Sequence, residues 1–502
     1  MNLDENLYLK YKEGFKKNLG SVFLKDYDGR TVSYQDLDYE SGKLANGLAK
    51  IGLSRGDRVS IQVDKCIEFI YLYLACLRSN IIFHPLNPAY TKKELGYFLE
   101  DAKPSLFIAD EKRIAELGNL NLKHKIDHLL TLSREGRGSF STIISNKKEF
   151  DTVKSSKDDI AALLYSSGTT GKPKGIMLSH ENLSTNAKSL VKAWDFQPED
   201  CLLHALPIYH VHGLFVALGC VLMSGSNLNW LDSFDVNQVI KLIPDCTVLM
   251  GVPTYYTRLV KHESLTEELT KNMRLFICGS APLLEDTFHE FKKKTNHTIL
   301  ERYGMTETNM NTSNPLIGKR KPGSVGLPLE NIEIKIVDDK NNIVPRGKIG
   351  NIQVKGPNVF KGYWEMPLKT KEDFSTDGYF NTGDKGLKDE EGYLSIIGRT
   401  KDLIISGGMN IYPKEIELII DKLEGVKESA VIGVHDGDYG EKVIAIVVMQ
   451  TNSEFNEIEI KKNLKENLAG YKCPKNIYEI EELPRNAMSK IQKNKLREIY
   501  SN

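Results

Sequence analysis

A short run of glycine, hydroxyl and lysine side chains is the part of this sequence whose composition points most directly to chemistry. Glycine lets the backbone turn tightly and present N–H groups, hydroxyls add donors, and lysine adds positive charge. The run therefore suits a loop that wraps phosphate oxygens, although taken alone a flexible surface loop is the alternative. It extends from Tyr165 to Gly175 and contains Ser166, Ser167, Gly168, Thr169, Thr170, Gly171 and Lys172.

The loop does not match the phosphate loop of the nucleotide hydrolases. That motif, GxxxxGK(S/T), needs a hydroxyl residue after the lysine, whereas Lys172 is followed by Pro173. Proline here also argues against a helix that opens directly on the phosphate. The apolar residues 160–164 before the loop predict a buried strand.

Two further segments place residues suited to ligand binding just after predicted strands. Gly279, Ser280 and Ala281 follow one strand, and a second strand near Leu300 leads into Tyr303, Thr306 and Glu307. Parallel sheets bind ligands at the carboxyl ends of their strands. Tyr303 is suited to stack on a base, and Thr306 and Glu307 to hold phosphate and Mg²⁺.

Three histidines, His204, His210 and His212, fall close together. Pro207 and Gly213 are expected to break the helix that a pair of metal-binding histidines would need, so a metal site is disfavoured. We expect a histidine that lines a ligand pocket, with His204 as the candidate for a purely structural role.

The helices and strands that must position these residues are expected to form a protein of several domains, of the α/β and α+β classes. Between residues 30 and 110, strand and helix patterns alternate, which predicts parallel sheets covered on both faces. Short alternating strands then predict a small antiparallel β-barrel at about 325–398 within a large amino-terminal domain, 1–400. A compact α+β domain is predicted over 401–502, with the boundary at Lys401.

Composition narrows the possible partners and the compartment. The 502 residues contain 67 basic and 67 acidic side chains, so there is no general electrostatic case for nucleic acid or membrane surfaces. The seven cysteines are scattered without a CxxC pair, which indicates a reducing compartment. The acidic first residues do not resemble a signal or transit peptide, and apolar runs are too short to span a bilayer. A cytoplasmic location is expected.

Five segments, in order, identify a family. They are Tyr165–Gly175, Tyr303–Glu307, Thr382–Asp384, Gly398–Gly408 and Pro484–Lys490. Together they resemble the acyl-CoA synthetases of the adenylate-forming (ANL) superfamily and span nearly the whole chain. The segments 301–315, 248–259 and 210–215 are more similar still to malonyl-CoA synthetases.

This resemblance implies a reaction in two steps, with ATP and CoA as co-substrates and Mg²⁺ as cofactor. A carboxylate attacks the α-phosphate of ATP and forms an acyl-adenylate, and a thiol then displaces AMP. The expected ATP- and AMP-binding residues are Ser166, Ser167, Gly168, Thr169, Thr170, Gly171, Lys172, Gly279, Ser280, Ala281, Tyr303, Thr306, Asp384 and Arg399. Glu307 and Thr170 are the expected Mg²⁺ ligands, and Lys490, Glu307, Thr306 and His210 the expected catalytic residues.

The resemblance also implies a mobile carboxyl-terminal domain. Lys401 matches the family's hinge, and Gly407 and Gly408 are expected to line the path of the CoA thiol, where side chains would obstruct it. Lys490 serves adenylation only, and its acetylation by a lysine acetyltransferase, reversed by a deacetylase, would remove its charge. Ser489 stands where the wider family usually has glycine.

The acid is the least determined part of the reaction. A dicarboxylate such as malonate brings a second charge that costs free energy if buried without a partner, and a bidentate arginine is its natural partner. Arg302 and Arg258 are the candidates, with His210 as cap or gate; each arginine has a structural salt bridge as its alternative role. Methylmalonate or a short- to medium-chain monocarboxylate, loading of a carrier protein in trans, and an inactive binding protein are the competing functions.

Overall fold

A computed structural model describes residues 4–117, 122–166, 173–399, 402–406, 409–436, 439–468, 470–486 and 489–501. Its contacts divide the chain into two compact units. The first comprises Met1–Pro322, Gly326–Glu333 and Val354–Phe380, and the second comprises Gly323–Val325, Ile334–Gln353 and Asn381–Asn502. Lys401 lies outside the described residues, so the domain boundary placed there stays a prediction.

The strands, in chain order, are β1 Val22–Asp26, β2 Thr31–Ser33, β3 Arg58–Gln62, β4 Ile82–Pro85, β5 Leu106–Ala109, β6 His128–Thr131, β7 Ile160–Ser166, β8 Lys174–Ser179, β9 Cys201–His204, β10 Asn227–Trp230, β11 Val248–Gly251, β12 Leu275–Cys278, β13 Leu300–Met305, β14 Asn309–Ser313, β15 Leu327–Pro328, β16 Glu333–Val337, β17 Gly350–Lys355, β18 Gly362–Tyr363, β19 Phe380–Lys388, β20 Leu394–Arg399, β21 Ile404–Ser406, β22 Met409–Ile411, β23 Val426–Asp436, β24 Gly440–Met449 and β25 Asn476–Glu479.

The helices are α1 Leu7–Phe15, α2 Tyr34–Lys50, α3 Ile67–Ser79, α4 Lys92–Ala102, α5 Glu111–Leu117, α6 His180–Trp194, α7 Leu218–Ser224, α8 Val236–Leu242, α9 Pro253–Leu259, α10 Glu285–Thr295, α11 Pro367–Asp373, α12 Pro413–Ile420, α13 Glu457–Asn467 and α14 Lys493–Tyr500. A π-helical turn, His212–Ala217, precedes α7. Among the described residues, none of these helices is long and apolar enough to cross a membrane.

The first unit contains two sheets whose central strands are parallel, as the alternating pattern predicts. One has the order β15-β14-β13-β12-β11-β9-β10-β1-β2, and the other β18-β8-β7-β4-β3-β5-β6. Their strands are short and almost wholly apolar, as in β5 and β12, because helices cover both faces of such sheets. Antiparallel partners occur at the margins, at β13–β14 and at β7–β8.

The second unit holds a sheet with the order β22-β21-β24-β23, extended by β25 beside β24. The long β23–β24 hairpin is apolar on both faces. One face packs on α12 and α13, and the other on Leu483 and on Leu496 of α14. Where the sequence predicts a barrel at 325–398, the structure has the four-stranded sheet β16-β17-β19-β20, most of which falls in this unit.

Candidate functional site

The adjacent parallel strands β11, β12 and β13 bring their carboxyl ends to one edge of the larger sheet. Gly279, Ser280 and Ala281 follow β12 at this edge, and Tyr303 lies on β13 beside them in the sheet order. Ser280 has a φ of 73°, a left-handed backbone conformation that is unfavourable for a residue with a side chain. Strain of this kind often marks a binding site. The adenine-binding roles of these residues stay predictions.

Glu307 lies in the turn between β13 and β14 and is buried. The Ser166 hydroxyl, at the end of β7, donates to Glu307 Oε1 at 3.3 Å, and the Phe360 N–H donates to the Glu307 carbonyl at 2.8 Å. The structure thus brings Ser166, a residue of the glycine loop, to the carboxylate predicted to bind metal. Thr306 is half-buried in the same turn.

These oxygen donors fit Mg²⁺, which prefers carboxylates, hydroxyls and substrate phosphates to an all-protein cage. The described part of the chain holds no group of three or more His, Cys, Asp or Glu side chains that could hold a metal ion. Glu307 is the described residue that would hold the ion. Thr170, the other predicted ligand, lies outside the described residues.

The rest of the glycine loop, Ser167–Lys172, is likewise outside the described residues, and so are Lys401, Gly407 and Gly408. The flanks of the loop are described. Strand β7 pairs antiparallel with β8, Ser166 opposite Lys174, so the loop connects two strands. A strand, and not a helix, therefore follows Pro173, while the phosphate-binding role of the loop stays a prediction.

Arg302 on β13 has surroundings that are rare for an arginine. Its side chain is 3% exposed, and within the described part of the chain its Nε and Nη2 have no hydrogen-bond partner. Burial lowers the pKa of Arg302 to about 10, which still leaves the guanidinium charged at neutral pH. A buried charge without partners is costly, so its retention points to a ligand of opposite charge.

Gly279 makes room for this guanidinium. A Cβ at position 279 would lie 2.5 Å from Arg302 Cζ, closer than such atoms approach. The end of β12 therefore needs glycine so that Arg302 can lie flat against the backbone.

His212 is named in the sequence analysis without a role of its own, because His210 is the histidine proposed there for the acid pocket. Its ring is buried, Nδ1 lies 3.3 Å from the Ser280 hydroxyl, and Nε2 has no partner among the described residues. Burial, and then the Arg302 charge, lower the pKa of His212 well below its usual range, so the ring is neutral. When Ser280 donates to Nδ1, the ring proton is on Nε2, and His212 joins Arg302 as a donor without an acceptor.

The other two candidates for the acid pocket, His210 and Arg258, are less buried than Arg302. His210 is half-buried at the start of the π-helical turn, and its Nδ1 accepts the His212 N–H at 3.4 Å. Arg258 is exposed on the last turn of α9. Only one of the two predicted arginines is therefore buried beside His212.

The histidine segment also corrects one expectation. Gly213 does not end a helix but lies inside the π-helical turn, where its missing Cβ allows contact with the Pro207 carbonyl. His204 is structural, as predicted: Nδ1 contacts Lys65 Nζ and Nε2 donates to the Gly213 carbonyl.

In the second unit, Asp384 and Arg399 face each other across β19 and β20. Arg399 Nε lies 3.1 Å from Asp384 Oδ1, and the carboxylate is buried. A fixed carboxylate and guanidinium at the end of a hairpin can accept from and donate to a sugar diol. This geometry supports the predicted ribose site, which remains a prediction.

Lys490 follows a tight turn that is anchored to the sheet. The Asn486 N–H donates to the Lys490 carbonyl at 2.9 Å, and the Lys490 N–H donates to Asn486 Oδ1 at 3.0 Å. Arg485 donates to the Ser489 carbonyl at 2.7 Å and pairs with Glu428 of β23. The backbone that carries the lysine is therefore fixed to the unit's core.

Ser489 in this turn has a φ of 59°, which explains why glycine suits the position. Replacing Ser489 with glycine is expected to stabilise the protein slightly. Relief of the left-handed φ is worth about 1–2 kcal/mol, more than the 0.5–1 kcal/mol that glycine typically costs through its greater freedom when unfolded. Urea unfolding of the full chain measures the change. Ser453→Gly, where φ is not positive, is the control, and an equal loss of stability in both variants would contradict the explanation.

Comparison with known proteins adds three findings. The model of the AMP-binding enzyme family matches residues 12–364, and that of the AMP-binding enzyme C-terminal domain matches 415–490. A malonate–CoA ligase of Arabidopsis thaliana is 34% identical, covering 96% of this chain and 83% of the relative. A long-chain-fatty-acid–CoA ligase of Bacillus subtilis is 32% identical over 94% and 90%.

Among solved structures, ATP-bound MatB from Rhodopseudomonas palustris superposes with a TM-score of 0.97. It is 47% identical and covers 100% of this chain and 99% of its own. The two curated relatives are similar to this chain to nearly the same degree and act on different acids, so overall identity to them does not select the acid.

Proposed function

The chain belongs to the AMP-binding enzyme family, and from that premise we propose that it joins malonate to coenzyme A at the expense of ATP. It is an AMP-forming acid–CoA ligase, with ATP and CoA as co-substrates. The observation that carries malonate as the acid is Arg302, a buried guanidinium whose Nε and Nη2 lack a partner among the described residues.

In the first step, a malonate oxygen forms a bond to the α-phosphorus of ATP, and the bond from that phosphorus to the bridging oxygen of pyrophosphate breaks. The carboxylate is already ionised at neutral pH, so the step needs no general base. It brings two anions together, and fixed donors and positive charge must offset their repulsion. Lys490 supplies this charge at the α-phosphate and carboxylate oxygens.

In this proposal, separate groups of residues hold the phosphates, the base and the sugar of the nucleotide. The loop residues Ser166–Lys172 hold the β- and γ-phosphates, Tyr303 and the 279–281 backbone hold adenine, and Asp384 with Arg399 holds the ribose. Glu307, with Thr170 and Thr306 near it, would hold Mg²⁺. When bound, Mg²⁺ supplies positive charge that neutralises the phosphate oxygens.

In the second step, the CoA sulfur bonds to the acyl carbon, AMP leaves with the electrons of the acyl–oxygen bond, and the thiol proton is released. Lys490 is not needed here. We propose that the carboxyl-terminal domain rotates at Lys401, after which Gly407 and Gly408 leave the thiol's path clear. His210, at the start of the π-helical turn, serves as a gate for the acid.

The acid's second carboxylate is assigned to Arg302. The side-by-side Nε–H and Nη2–H of a guanidinium match the two oxygens of a carboxylate. His212 adds a third donor, Nε2–H, in the tautomer whose Nδ1 accepts from the Ser280 hydroxyl. These three buried donors have no acceptor among the described residues, and such donors suit a dicarboxylate and penalise a methyl end group.

A panel of acids tests the proposal. Pyrophosphate release in the presence of CoA should give the highest kcat/KM with malonate, with methylmalonate next, and at least about 100-fold lower values for acetate and butyrate, since unpaired buried donors reject an apolar analogue strongly. Preference for a monocarboxylate would refute the dicarboxylate assignment. Repeating the panel with a carrier protein in place of CoA identifies the acceptor.

Two minor proposals accompany this function. The scattered, unpaired cysteines favour a reducing compartment, and we propose the cytoplasm. We propose acetylation of the half-buried Lys490 at its Nζ as an off-switch for adenylation, because acetylation removes the charge of the side chain.

A further inference from the structure

Lys65 is a buried cation that the proposed reaction does not use. It lies in the connection between β3 and α3, at the carboxyl ends of the parallel strands in the seven-stranded sheet. The residue is 9% exposed. Its Nζ lies 2.9 Å from His204 Nδ1, 2.9 Å from the His204 carbonyl and 2.6 Å from the Leu231 carbonyl. The same atom lies 3.9 Å from the centre of the Trp230 ring.

The partners of Lys65 are all neutral groups at the carboxyl ends of β9 and β10. Three acceptors need three N–H donors, which only the ammonium form provides, and the face of Trp230 stabilises that charge further. Burial lowers the pKa of Lys65, and burial, then the Lys65 charge, lower the pKa of His204 to about 3. The pair therefore carries a single positive charge, on Lys65. Its hydrogen bonds to β9 and to Leu231 connect the two sheets of the first unit.

His204 passes this constraint to the π-helical turn. Its Nε2–H donates to the Gly213 carbonyl at 3.0 Å, and the same carbonyl accepts the Leu218 N–H, the bond that makes the turn π-helical. Both lone pairs of the Gly213 carbonyl are thus in use. Lys65 holds the tautomer of His204 that donates from Nε2.

The register of this turn decides where His212 points. A π-helical turn contains one residue more than an α-helical turn, and each residue advances an α-helix by about 100°. If the turn relaxed to α-helix against the buried residues of α7, His212 would rotate by about that angle, away from Ser280. The His212–Ser280 contact at 3.3 Å depends on the extra residue.

We propose that Lys65 and His204 are positioning residues for acid recognition: Lys65, from the sheet that contains β3, holds His204 of β9, and the two residues fix the π-helical turn so that His212 faces Ser280 and Arg302. This inference rests on the proposed function, since it concerns the same acid pocket. Neither residue contacts a substrate in this proposal, and their effect reaches the acid through His212 alone.

Kinetics of Lys65→Met and His204→Leu test the lock in the full-length protein with the acid that performs best in the panel. We expect the KM for that acid to rise at least 10-fold, with the KM for ATP within twofold and kcat within threefold of the parent. His204→Gln, which keeps one acceptor and one donor, should recover most of the acid affinity. Arg78→Met, a buried cation of α3 that bonds Asp38 and Ser41, is the matched control and should not change the acid KM.

Hydrogen exchange measured by mass spectrometry gives a second readout that needs no turnover. Amides of residues 212–218 should exchange at least 10-fold faster in Lys65→Met and His204→Leu, and at the parent rate in Arg78→Met. An acid KM and ATP KM that rise together, or unchanged exchange in this segment, overturns the proposal. The panel of acids tests the malonate assignment separately, because the kinetics of these variants are measured with whichever acid the parent protein prefers.

Discussion

Replacing Arg302 with methionine is expected to lower kcat/KM for malonate by roughly 30-fold or more, because truncating one partner of a buried charge pair costs about 2–5 kcal/mol. The loss should fall mainly on the KM for malonate. Butyrate, which carries no second charge, should lose little or even gain, since methionine offers its apolar end a matching surface. The measurement is pyrophosphate release with each acid at saturating ATP and CoA.

Two other arginines serve as controls for this variant. Arg320 is half-buried and donates to the carbonyls of Thr298, Pro315 and Leu316, so Arg320→Met should lower stability without a preference between acids. Arg258, the exposed candidate, should tolerate methionine with less than a threefold change in malonate kcat/KM. Equal losses for malonate and butyrate in Arg302→Met would remove the proposed role, and a selective malonate loss in Arg258→Met would transfer it.

Arg302→Met is expected to leave the unliganded protein as stable as the parent or more stable. Arg302 is a buried charge with two N–H groups that lack partners among the described residues, and exchange of such a group for an apolar side chain of similar length is often neutral or stabilising. Thermal unfolding without acid checks this. A variant that loses malonate activity but gains stability shows that the arginine is retained for binding.

Replacing Lys490 with alanine is expected to lower the rate of ATP–pyrophosphate exchange by about 100- to 1,000-fold, the usual effect of removing one donor aimed at developing charge. The KM for ATP should change much less, because other residues hold the nucleotide. The thioester step, started from synthetic malonyl-adenylate and CoA, should proceed at the parent rate. The contrast between the two half-reactions is the test.

Lys495→Ala is the matched control for this lysine. Lys495 is exposed on α14 in the same unit, so its removal changes the net charge equally and should leave both half-reactions unaffected. If Lys490→Ala slowed both half-reactions alike, the lysine would have a general structural role. If Lys490→Ala slowed only the thioester step, Lys490 would act in that step and not in adenylation.

Much of the fold was predictable from residues 30–110 and 426–449, because buried strands and amphipathic helices carry their periodicity in the local sequence. The alternation of helices and strands predicted over 30–110 is present, for example in the helix that begins at Tyr34 and the strand at 58–62. The segment 325–398 was less predictable. Its short alternating strands are compatible with a barrel or an open sheet, and pairing between strands distant in sequence decides between the two.

The sequence by itself determined the class of reaction, because five segments, from the glycine loop at Tyr165–Gly175 to the segment that ends at Lys490, occur in the order found in adenylate-forming enzymes. That order is local information and is read directly from the chain. Only the tertiary structure decided which arginine is buried without a partner and that His212 accompanies it. Burial and hydrogen bonding depend on which distant residues pack together, as when Gly279 admits the Arg302 guanidinium, and no local pattern records that.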